Sequence, residues 1–197
     1  MDEQIYIMYI DSEKSVNVYI DDERYDFFYE NNFNGNSMID GWEPPPFIIE
    51  DEKLPLKDFV SGTLFAPLIS QKAKDSLYPL IKDYVEFLPC MKIKGTHYYI
   101  LNVIKIVDCV DLENSNISYS SGQPQRILNI MQFEIDNEKT EDVPIFKVPQ
   151  DTGVIFVTKS FIDEIVKFKL TGIGVENPSN MSYMKAPVSA IDILPFK

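Results

Sequence analysis

The sequence predicts an α+β protein, a mixed β-sheet with few helices, and three observations carry that prediction. Runs rich in β-branched and aromatic residues recur along the chain, from Ile5–Ile10 to Tyr98–Val107. Only two segments set apolar residues at helical spacing. Those segments also match one another at a constant offset of 88 positions, each reading as strand, helix and returning strand, about 67–88 and 155–175. Few helices on a sheet built from many strands is an α+β pattern.

Each element follows in order. Ile5–Ile10 reads as a buried strand and Val16–Ile20 as a second. The acidic run from Asp21 to Asp26 and the polar run from Asn31 to Asn36 read as loops. Trp42-Glu43-Pro44-Pro45-Pro46-Phe47 has no place in a helix interior and reads as a rigid polyproline connector pinned by its aromatics. In the first repeat unit Ser70 stands where a helix N-cap belongs, and Thr158 holds the same place in the second. Ala73, Leu77 and Leu80 align with Phe161, Ile165 and Phe168, one apolar stripe per helix. Asp75 and Asp163 fall in the early turns, where negative charge suits the helix dipole, and Pro79 should kink or end the first helix near its C-terminus. Tyr84–Leu88 and Ile173–Val175 return as strands. Tyr98–Val107 is apolar on both faces of its alternation, which predicts a central, doubly covered strand. Arg126–Ile135 is a further strand, with Phe133 and Ile135 opposed to Gln132 and Glu134. Residues 112–125 and 136–142 read as polar loops, and Ile191–Leu194 as an edge strand.

Charge divides the chain more sharply than hydropathy does. The net charge is −13, but residues 1–60 hold 15 acidic against 4 basic side chains, a balance of −11. Residues 61–197 hold 16 against 14, a balance of −2. The organisation expected is therefore an acidic, β-rich N-terminal region, 1–60, packed with an α+β body, 61–197. The sign argues against nucleic acid and against an anionic membrane surface, and it suits a basic protein partner. No run approaches the roughly 20 apolar residues of a membrane span, and Met1-Asp2-Glu3 does not open a secretory signal, so a cytoplasmic address is expected. Cys90 and Cys109 are then reduced thiols serving as small, buried apolar residues.

Little chemistry can be assembled from these residues. His97 is the single histidine, and no local signature pairs it with Cys90 or Cys109 as a general base. Asp108 and Asp111 could hold a hard cation weakly, and an acidic turn explains them as well. Gly172-Ile173-Gly174 follows a helix instead of opening one, so it reads as a helix stop and not as a phosphate cradle. No catalytic set, metal site or cofactor is expected. The remaining enzyme reading would need His97, Asp108 and Asp111 to converge in one pocket.

Several segments, in this order, resemble a family of bacterial immunity proteins from polymorphic toxin systems (immunity protein family 11). They are Leu54–Val60 (LPLKDFV), Val85–Pro89 (VEFLP), Tyr98–Asp111 (YYILNVIKIVDCVD), Ile145–Pro149 (IFKVP), Ile155–Ile165 and Leu170–Gly174 (LTGIG). The resemblance spans about residues 42–178, and the first 40 residues carry no family motif. It implies a protein that binds and silences a cognate toxin inside the producing cell, with no shared catalytic residues to transfer. The interface is then expected in residues 1–60. Asp21, Asp22, Glu23, Asp26, Glu50, Asp51 and Glu52 would steer the approach, and Tyr25, Phe28 and Tyr29 would anchor it. Trp42 is a weaker anchor candidate, better suited to the core. The competing non-enzymatic reading is an accessory or structural protein of a secretion or phage-like apparatus.

Overall fold

The structure, a computed structural model, describes residues 4–20, 33–50, 52–61, 66–90 and 92–180. The described chain runs β1 (Ile5–Ile10), β2 (Asn17–Ile20), β3 (Phe47–Glu50), β4 (Phe59–Val60), β5 (Leu68–Ser70), α1 (Gln71–Ile81), β6 (Val85–Pro89) and β7 (Tyr98–Val103). It continues with β8 (Asn116–Ser120), β9 (Gln123–Gln132), β10 (Ile145–Val148), β11 (Asp151–Thr158), α2 (Lys159–Lys167) and β12 (Ile173–Glu176). This is the α+β class expected, mostly sheet, with antiparallel pairing between the strands. The edge strand expected at Ile191–Leu194 lies outside the described residues.

Two four-stranded sheets, ordered β10-β11-β1-β12 and β4-β5-β7-β6, make the body, and β2–β3 and β8–β9 form two smaller ones. Both large sheets are covered on both faces, and side-chain alternation shows how. On β1, Tyr6 and Met8 join the core that holds Ala73, Leu77 and Ile81 of α1 and Phe161 and Ile165 of α2, while Ile5 and Ile7 join Ile130, Phe133 and Phe156 on the opposite face. On β7, Leu101 and Val103 face the helices, while Tyr98 and Ile100 pack with Val18 of β2 and with Phe33. Burial on two faces explains why these strands read as near-continuous apolar runs. Phe156 lies between Phe133 (5.1 Å, edge-on) and Phe146 (5.4 Å, stacked), the offset geometries aromatic rings prefer.

The repeat units fall where the offset places them. β5 and β6 flank β7, and β11 and β12 flank β1, so each strand–helix–strand unit straddles an inserted antiparallel strand. In one unit that middle strand follows in the chain; in the other it precedes. Likeness of connectivity is not likeness of ancestry, and the repeat is not confirmed by it.

Local chemistry departs from expectation in several places. Ser70 caps α1, its hydroxyl accepting from Ala73 N at 3.1 Å and donating to Asp58 at 2.9 Å. Thr158 occupies the N-cap of α2 but makes no capping bond, because its hydroxyl pairs with Ser160 Oγ at 2.7 Å. Asp75 and Asp163 lie past the first turns, each bonded to the residue four places before it, Gln71 and Lys159. The α2 stripe ends at Ile165, and Phe168 is an exposed C-cap. The left-handed residue that stops α2 is Lys169, not a glycine. Lys169 N bonds Val166 O and Leu170 N bonds Ile165 O, the double bond of a Schellman motif. Gly172 does adopt a left-handed conformation, but at the start of β12, where a Cβ would strike the Phe59 carbonyl.

The strand expected over Tyr98–Val107 ends at Val103. Ile104 N and Lys105 N both turn to Tyr84 O, and the chain then pairs in parallel with Lys147, joining one large sheet to the edge of the other. Residues 112–125 are not a loop throughout, since Asn116–Ser120 is β8; β3 and β4 are also additions to the elements expected.

Candidate partner-binding surfaces

The catalytic candidates do not assemble. His97 is exposed just before β7, where its carbonyl accepts from Gln71 N, while Asp108 and Asp111 lie beyond the opposite end of that strand. Six residues of strand alone span about 20 Å. Asp108 accepts from Gln150 Nε2 at 2.7 Å. Asp111 organises its own turn, accepting from Asn114 Nδ2 (2.6 Å), Glu113 N (3.0 Å) and Asn114 N (3.2 Å), and the Asn114 side chain foremost holds its carboxyl below the usual range. Burial pushes the thiols of half-buried Cys90 and buried Cys109 up to about 12, so both remain protonated and unreactive near neutrality. Cys109 is the buried apolar residue expected, whereas Cys90 is only half-buried at the edge of the core beneath β2 and β3.

In the acidic N-terminal third, Asp21, Asp22, Glu23, Tyr25, Asp26, Phe28, Tyr29 and Asp51 lie outside the described residues. Glu50 is exposed at the end of β3, opposite Asn17 of β2. Glu52 is exposed too, and its backbone carbonyl accepts from Lys94 Nζ. Trp42 is half-buried against the core beneath β2 and β3, its indole donating to Pro89 O at 2.8 Å, so it serves the fold. On the outer face of β2–β3 the cross-strand pair Tyr19–Ile48 stands 40% and 49% exposed, an apolar spot in the acidic third that periodicity alone did not single out.

A row of buried polar groups fixes the segment that follows residue 32. Lys147 Nζ, on a wholly buried side chain, donates to Phe33 O. Buried Asn102 donates to Asn36 O (2.9 Å) and to Glu86 Oε2 (3.0 Å), and Glu86 accepts from Met38 N (2.8 Å) and Ser37 Oγ. Gly35, at φ +97°, lets Ile106 occupy the space a side chain would take. Three strands of the body, β6, β7 and β10, thus grip this stretch by its backbone.

A second acidic surface appears in the body, where the overall balance of −2 hides it. Residues 108–142 carry eight acidic side chains against two basic ones, Arg126 and Lys139. The fold gathers part of this excess around a cleft of about 990 Å³, lined by Asp111, Glu113, Glu134 and Asp136 with Leu112 and Lys139. The Val110–Ile135 bridge forms its floor, bringing the Asp111 turn against the exit of β9. A charge count over a shorter window shows the acidic excess of 108–142, but not the cleft that gathers part of it.

Among the described residues, no group of three or more His, Cys, Asp or Glu is placed to hold a metal ion, and no helix is long and apolar enough to cross a membrane. A search of the curated proteins finds no match. The family model described as "Immunity protein family (Imm11)" matches residues 8–179, reaching well into the N-terminal stretch in which no family motif was expected, and the chain belongs to that family.

Proposed function

We propose that this protein neutralises a cognate bacterial toxin by binding it, and that it performs no reaction of its own. The observation that carries this reading is the family match across residues 8–179. The thiols held protonated near neutrality, the separation of His97 from Asp108 and Asp111, and the use of Asp111 as a turn-former all agree with a binding role. The charge of −13 suits a basic target, and a toxin acting on nucleic acid would present such a cleft. The site of action is the cytoplasm of the producing cell.

Residues 1–60 steer the encounter, through Asp21, Asp22, Glu23, Asp26, Glu50, Asp51 and Glu52, with Tyr25, Phe28 and Tyr29 as anchors. Co-expression with the toxin encoded beside this gene tests the function: rescue from growth arrest and a stable complex are expected, and a toxin that kills unchecked without forming a complex refutes it. Reversing Asp21, Asp22 and Asp26 together should slow association roughly tenfold at low salt and flatten its ionic-strength dependence. Unchanged rates would remove this segment from the interface.

A further inference from the structure

The β8–β9 hairpin is covered on one side only. Ile117, Ile127 and Ile130 turn inward to the core of Phe133 and Phe156, whereas Leu128 and Met131 turn outward, Leu128 being 63% exposed. Leu112 at the hairpin's foot is exposed as well, and it lines the acidic cleft. Isolated apolar side chains on a surface need no explanation, but two on one hairpin face, with a third lining the cleft at its foot, mark a face that something covers.

We propose that the outer face of β8–β9, together with the cleft at its foot, is a second toxin-contacting surface, additional to the N-terminal segment proposed above. This rests on the reading of the chain as a toxin-binding immunity protein. The chemistry of the face selects the occupant. Leu128 and Met131 call for an apolar patch, and the carboxylates of Asp111, Glu113, Glu134 and Asp136 call for lysine or arginine around it. Nucleic acid and an anionic membrane carry the wrong sign. A second copy of this chain, docked face to face, would set the same carboxylates against each other, since a two-fold interface is self-complementary. A basic protein surface satisfies both features. The apolar face supplies residence time and the carboxylates supply approach.

The test uses the full chain and the toxin encoded beside its gene. Leu128→Asp and Met131→Asp lie on the solvent side, so circular dichroism and melting temperature should match the wild type. Each should weaken the complex by about 10- to 100-fold, chiefly through faster dissociation. Glu113→Lys with Glu134→Lys should instead slow association and reduce its salt dependence. Wild-type protein that binds the toxin while all these variants bind equally well overturns the proposal and leaves the immunity function standing. A wild type that forms no complex overturns both. Loss of a self-dimer on Leu128→Asp, with toxin binding intact, overturns it in favour of a second copy.

Discussion

Lys147 has no exposed surface, and a buried ammonium must shed its proton or cost the fold stability. Burial lowers its pKa from 10.5 to about 8, with Asp151 acting weakly in the opposite sense. Below pH 8 folded and unfolded chains both hold the proton, and the penalty for the buried charge is felt in full. Between about 8 and 10.5 the unfolded chain keeps a proton that the folded chain has released, so stability rises with pH across that window, by about 3 kcal/mol at most. Lys147→Met should lack this rise. Urea unfolding of both proteins at about pH 7.5 and about pH 10 checks it, and parallel changes in the two would sink the assignment. Nothing at sequence level marked Lys147 as buried: IFKV reads as an ordinary strand end, and its partner, the Phe33 carbonyl, is brought to it only by tertiary folding.

Caps separate what is legible in an element from what is not. Ser70 and Thr158 are equivalent by spacing, yet only Ser70 reaches a backbone donor, because Ser160 offers the Thr158 hydroxyl a nearer partner. Ser70→Ala should therefore cost about 1 kcal/mol or more, the more so because Asp58 also loses a donor, while Thr158→Ala should cost well under that. Equal losses in chemical denaturation would contradict this. Both helices were visible because their apolar stripes are strong. β8 was hidden because Asn116, Ser118 and Ser120 carry turn-forming composition, although Ile117 and Tyr119 alternate with them as a strand requires. β4 has two residues, too few for any periodic signal.

At the scale of the molecule, the family and the fold class were readable because ordered motifs and strand-rich composition survive in one dimension. The second acidic surface was not, since opposite charges elsewhere in residues 61–197 cancel it in the sum, and only folding brings Asp111 and Asp136 around one cleft. The bridging of the two sheets was equally hidden: Lys105–Val107 looks like more of β7 until it meets Lys147. The first strand binds the whole together. Because β1 is interior, Ile7→Asp, which places a charge between Phe156 and Glu176 partners at a buried position, should destabilise by at least about 3 kcal/mol. A variant that melts like the wild type would mean that β1 does not occupy the sheet interior.

That placement also sets a timetable for synthesis. β1 leaves the ribosome long before its two neighbours, β11 and β12, which begin at Asp151 and Ile173. At about 5–20 residues per second, this strongly β-forming hexapeptide waits on the order of ten seconds or more for both flanks. During that interval Ile5-Tyr6-Ile7-Met8-Tyr9-Ile10 is an uncharged segment of the kind that pairs with other chains. The β10-β11-β1-β12 sheet can therefore close only after Glu176 has been made, and the first of its strands is held open by the last.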